Sequence, residues 1–178
     1  MASYELQAFE RFHEISLVGA LEYQAPYTLN LGFWLRDPLQ LINWPSLEAA
    51  HPRQDFLWEK TCFELFIGVQ NEDYYREINL SPSQAWQCYQ FEEYRYPEDM
   101  PPQMAHDIEL IALQRTHYGL SATLDLSQFM QKHQLKWHDL FIGLTAILDT
   151  TKGMHFYAMQ HSSPQADFHN KRDWIHNF

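Results

Sequence analysis

Apolar and polar residues alternate with a period of two through most of this chain, and that restricts it to strands with two distinct faces. In 27–36 (YTLNLGFWLR), Leu29, Leu31, Phe33 and Leu35 face one way, and Thr28, Asn30, Gly32, Trp34 and Arg36 the other. Residues 14–23 repeat the pattern, and 5–10 form a shorter candidate. The longest run, 58–95 (WEKTCFELFIGVQNEDYYREINLSPSQAWQCYQFEEYR), reads as three consecutive antiparallel strands at 60–69, 74–80 and 85–91, joined by turns rich in Asn, Asp, Ser and Pro. Further strands are expected at 108–115, 118–125, 140–148 and 154–161. A short helix is expected at 126–133 with Ser127 as N-cap. Long loops fill 37–57, where 47–50 reads as one helical turn, and 96–107; the tail after 161 reads as irregular chain. Nine or ten short strands, one brief helix and no βαβ alternation point to an all-β fold, a two-sheet antiparallel β-sandwich.

At 178 residues the chain is expected to form a single domain, 1–178. A net charge of −11, with only 12 Lys and Arg, argues against nucleic acid, which needs clustered cations, and against anionic membranes. The start, MASYELQAFERFHEISL, has no basic region followed by an apolar run, and no stretch is apolar for the roughly 18 residues of a membrane span. A cytoplasmic location is therefore expected, and two cysteines, Cys62 and Cys88, fit as free buried thiols.

The central run also separates chemistry. If Phe63, Leu65, Ile67, Ile78 and Leu80 enter the core, parity places Glu64, Phe66, Tyr75, Glu77, Asn79 and Ser81 on the opposite face. That face is too polar for core and too aromatic for plain solvent. Trp58, Trp86 and Tyr89 add rings, although parity sends Trp86 and Tyr89 to opposite faces. Rings with amides and carboxylates suit a hydroxyl-rich ligand: C–H faces stack on rings while polar groups bind hydroxyls. The pair Glu64/Glu77 has other uses. Paired carboxylates hydrolyse glycosides at separations of roughly 5–10 Å, bind Ca²⁺, or simply form a structural pair with Lys60, Arg76 or Arg95. No nucleophile motif accompanies them.

The pattern W-x-x-T-C-F-E-x-F, Y-x-E-x-N-x-S-P-S, W-x-x-Y-x-F and Y-R resembles bacterial DOMON-like proteins related to family 9 carbohydrate-binding modules. It comprises Trp58, Thr61, Cys62, Phe63, Glu64, Phe66, Tyr75, Glu77, Asn79, Ser81, Pro82, Ser83, Trp86, Tyr89, Phe91, Tyr94 and Arg95, and the match extends to His161, Asp167, Phe168 and His169. The resemblance implies a sandwich of two curved antiparallel sheets that holds sugar or haem in a hollow.

The expected site therefore comprises Trp58, Glu64, Tyr75, Glu77, Asn79, Ser81, Trp86, Tyr89, Arg95, His161, Asp167 and His169. Its expected role is non-catalytic binding of a small polar ligand, above all a carbohydrate. Alternatives are a haem-binding, redox-linked protein with Met159, His161 or His169 as iron ligands, a protein-interaction module, and a glycosidase-like enzyme using Glu64 and Glu77. Histidine spacing gives no metal motif. Exposed sheet edges leave a homodimer open.

Overall fold

A computed structural model describes all 178 residues. The strands are β1 (Ala2–Ala8), β2 (Ser16–Gln24), β3 (Thr28–Arg36), β4 (Cys62–Val69), β5 (Tyr75–Leu80), β6 (Trp86–Phe91), β7 (Glu109–Thr116), β8 (Gly119–Asp125), β9 (Leu140–Thr150), β10 (Gly153–Ala158) and β11 (His176–Asn177). The short helix α1 covers Ser127–Lys132. No helix is long and apolar enough to cross a membrane.

The fold is an antiparallel β-sandwich. The first sheet runs β1-β2-β3-β8-β7 and the second β6-β5-β4-β9-β10, with β11 pairing β9 beside β10. Strand β1 joins them: Ala2–Leu6 pair with β2, whereas Gln7 and Ala8 pair with β10. The alternating apolar rows meet between the sheets. The Phe33 and Phe63 rings lie 4.9 Å apart across the gap, amid Leu17, Leu29, Leu65, Ile78 and Leu144. Burying a side chain of this kind stabilises by about 1.5–3 kcal/mol.

Several local expectations shift. Ser127 opens α1 rather than capping it, because Leu126 is fully buried and fixes the register; Asp125 Oδ1 accepts the Ser127 N–H at 2.8 Å instead. Residues 47–50 form no helix, and a 3₁₀ turn lies at Leu57–Glu59. The last long strand stops at Ala158, so Met159 and His161 lie outside it. The tail contains a 3₁₀ turn, Lys171–Asp173, and β11. Cys62 and Cys88 are free, buried and separated by parity, Cys88 in the main core and Cys62 on the other face with Leu57 and Ala85.

Every residue of β4 and β5 is buried, so the outer face of the second sheet is covered as well. The chain around 52–58 does part of this. Arg53 donates to the carbonyls of Cys88 and Ala105 (3.2 and 2.6 Å), and Asp55 Oδ1 accepts from Gln87 and Tyr89 (3.1 and 2.8 Å). The loop after β6 and the tail do the rest. Asn170 Nδ2 donates to Ser162 Oγ (2.8 Å), and the Trp174 indole donates to the Phe168 carbonyl (2.8 Å) while stacking on Phe66. Gly143 permits this, since a Cβ there would lie 2.3 Å from the Trp174 ring.

Candidate functional site

Beneath this cover lies a cavity of about 430 Å³, within the size range of small-molecule sites. Its floor is the outer face of β4 and β5. Antiparallel register sets Glu64 opposite Asn79 and Phe66 opposite Glu77, so the two glutamates are diagonal neighbours, with Cα atoms roughly 7–8 Å apart. Both are buried, at 2% and 6% exposure. Phe66, Phe91, Phe156, Phe168 and Trp58 supply the apolar lining, and Arg95, Glu98 and Asp99 come from the loop after β6.

The polar floor is only partly satisfied. Glu64 Oε2 accepts from Thr145 Oγ1 at 2.9 Å, and its other oxygen has no protein partner. Glu77 Oε1 accepts from Asn79 Nδ2 at 2.9 Å, and its Oε2 lies 3.5 Å from His169 Nε2. Tyr75 completes the chain, since its hydroxyl accepts the Arg95 backbone N–H (3.1 Å) and contacts His169 Nδ1 at 2.6 Å. The direction of the Tyr75–His169 bond follows the imidazole tautomer. Asn79 Oδ1 is buried without a partner.

Burial sets the protonation of this group. Loss of hydration, then repulsion from Glu77, raises the Glu64 carboxyl to about 8, against the pull of Thr145 and Arg95. Loss of hydration also raises Glu77 to about 7, opposed by the Asn79 bond and Arg95. Burial, with Arg95 second, depresses His169 to about 3, so its imidazole is neutral. Arg95 is half-exposed at the rim, where its Nη2 lies 3.0 Å from Asp167 Oδ1; Tyr94 donates to Asp167 Oδ2 at 2.9 Å.

Five of the residues expected from the sequence line the cavity: Trp58, Glu64, Glu77, Arg95 and His169. Four others stand behind them. Tyr75 orients His169, Asn79 holds Glu77, Asp167 holds Arg95, and Tyr89 is buried behind Trp58, ring centroids 5.8 Å apart. Tyr89 is thus a support for Trp58 and not a second stacking ring. The remaining three lie elsewhere. Ser81 bonds Ser83 in the β5–β6 turn, at 2.9 Å. Trp86 enters the main core, where the Arg53 guanidinium lies 4.6 Å over its ring. His161 Nε2 lies 2.8 Å from the Gln7 carbonyl, and its ring packs on Phe9.

The iron-ligand candidates are not brought together. Met159 packs in the main core with its sulfur accepting the Leu144 N–H at 3.2 Å, on the other side of the sheet from His169. Its neighbour Tyr157 also enters the core, whereas Phe156 lines the cavity. No three His, Cys, Asp or Glu side chains converge as a metal set. Arg76 is not a counter-ion for the glutamates: it turns to the core side and donates twice to Asp107, at 3.0 and 2.7 Å.

Sequence reasoning missed Phe156, Ile147, Ala166 and the loop residues Pro97, Glu98, Asp99, Met100 and Pro102. Parity within β9 and β10 could have placed Ile147 and Phe156; nothing local points the loop at the site.

No family model matches the chain, and no curated protein matches its sequence. Among solved structures, the fold is similar to that of a "putative carbohydrate-binding protein" from Bacteroides uniformis. The TM-score is 0.62 at 12% identity, covering 97% of this chain and 84% of that one. The likeness is one of fold.

Proposed function

We propose that the protein is a non-catalytic binding module for a small carbohydrate, related to the DOMON-like proteins its central motif resembles. The observation that carries this reading is the cavity itself, which presents the buried carboxyls of Glu64 and Glu77 together with the rings of Trp58, Phe91 and Phe168. A sugar presents the matching combination, hydroxyls at its edge and C–H groups on its faces. Glu64, with one oxygen free of protein partners, takes a ligand hydroxyl, and Trp58 stacks on the ring. The description of the Bacteroides uniformis protein is in keeping with this. Binding is favoured over hydrolysis because Glu77, the second buried carboxyl of the floor, is tied down by Asn79 at 2.9 Å.

Calorimetric titration against a panel of mono- and oligosaccharides tests the proposal. At least one sugar should bind at millimolar dissociation constant or tighter, and Glu64→Ala should weaken it about tenfold, or 1.4 kcal/mol. Absence of binding to every sugar, or an unchanged Glu64→Ala protein, refutes it. Release of reducing sugar during incubation would instead establish an enzyme.

A further inference from the structure

Charge around the cavity is one-sided. Glu64 and Glu77 form the floor, and Glu98 and Asp99 stand at the rim. The one cation lining it, Arg95, is already paired with Asp167 at 3.0 Å. The rings of Trp58, Phe66, Phe91, Phe156 and Phe168 complete the lining, and aromatic faces attract cations through their quadrupoles. Glu64 is the decisive residue. It is 98% buried (2% exposed), faces the cavity, and leaves one carboxyl oxygen without a protein partner. A neutral sugar satisfies that oxygen with one hydroxyl and leaves the carboxyl protonated. An ammonium group makes the stronger, charge-assisted bond, with the carboxylate formed on binding as its counter-ion.

We infer that the ligand of this cavity is cationic: a sugar carrying a free amine, bound with its ammonium group on Glu64 and its ring against Trp58. This rests on the carbohydrate reading above and narrows it to amino sugars.

Proton linkage follows. Facing Glu64 are Cys62 on its own strand, Glu77 on β5, Arg95 from the loop after β6 and His169 from the tail, with Glu98 and Asp99 at the rim. Burial and Glu77 keep Glu64 protonated near neutral pH. An incoming ammonium stabilises the carboxylate, so binding of the charged amine expels the carboxyl proton to solvent. Charge balances: one cation enters and one proton leaves.

The test is calorimetric titration at pH 6.5 with glucosamine, N-acetylglucosamine, glucose and choline, each in two buffers of different ionisation enthalpy. Glucosamine should bind about tenfold or more tighter than N-acetylglucosamine and glucose, with release approaching one proton per ligand. Glu64→Gln should lose most of that release together with the preference for the amine. Equal binding of the three sugars, or tighter binding of the neutral ones, overturns the inference and leaves the carbohydrate reading standing. Binding of choline and glucosamine without any neutral sugar supports a cation site and contradicts a general carbohydrate module. No binding by any of the four, with the fold confirmed by circular dichroism, overturns the inference, and the wider sugar panel then decides the carbohydrate reading separately.

Discussion

The two outer faces of the sandwich begin from the same strand alternation and end in different states. On the first sheet, the outward row of β3 stays partly open to solvent, with Trp34 46% exposed. On the second sheet, the outward rows of β4 and β5 are wholly buried under the 52–58 segment, the loop after β6 and the tail. Alternation decides which residues leave the shared core; it does not decide whether they meet water. A polar row under cover must be hydrogen-bonded or lose its charge. That is why the carboxyls of Glu64 and Glu77 rise and why Asn79, Thr145 and His169 surround them.

The largest expected difference comes from removing one tryptophan from each face. Trp174 is 4% exposed and packs on Phe66, Tyr75 and Phe141. Trp174→Ala should cost about 3–5 kcal/mol in urea denaturation, whereas Trp34→Ala should change stability by about 0.5 kcal/mol. Equal losses would mean that the tail is not docked on the sheet.

Glycines sharpen the same contrast. A Cβ at Gly143 meets the buried Trp174 ring at 2.3 Å, and one at Gly32 meets the Trp34 ring at 2.4 Å. Only the second ring can swing into solvent. Gly143→Ala should cost about 1–3 kcal/mol, seen as a lower thermal midpoint, and Gly32→Ala well under about 1 kcal/mol.

The covered acids should also shape stability against pH. A carboxyl whose folded pKa is raised binds more protons folded than unfolded, so its contribution falls as pH rises from its unfolded value to about 8. His169, depressed to about 3, acts oppositely, adding stability as pH rises from about 3 to its ordinary 6.5. Between roughly pH 6.5 and 8 only the glutamate terms remain of these, and stability should decline. Glu64→Gln should flatten that decline, by up to about 1.4 kcal/mol per pH unit. An unchanged slope would place Glu64 in water.

The smallest effect lies at the margin of the cover. Tyr94→Phe removes the 2.9 Å bond to Asp167 and should cost about 0.5–1 kcal/mol. Tyr118→Phe, at an exposed turn beside the first sheet, should cost close to nothing. Matching losses would make the Tyr94 bond energetically irrelevant.

These comparisons also show what was readable in the sequence. The sandwich was legible because Leu29, Leu31, Phe33 and Leu35, and again Phe63, Leu65 and Ile67, repeat at the strand period, which only a two-faced sheet satisfies. The face holding Glu64 and Glu77 followed from the same parity. Long-range docking was not legible. Asp55 under Tyr89, Trp174 over Gly143 and the 97–102 loop over the cavity depend on contacts with no local signature. For that reason Tyr89 and Trp86 were expected to face a ligand, although Trp58 shields one and the core claims the other. Met159 illustrates a related limit: parity groups it with Tyr157, and both enter the core, but parity alone does not tell which of the two faces of the strand is the core face.

The central claim is that the covered face encloses the binding site, and mapping amide and indole NMR shifts during titration with glucosamine and neutral sugars tests it most directly. The account predicts saturable shifts concentrated on the Trp58 indole and the amides of Glu64, Phe91 and His169. Shifts centred on Trp34 and the outer face of the first sheet, or none with any sugar, would contradict it.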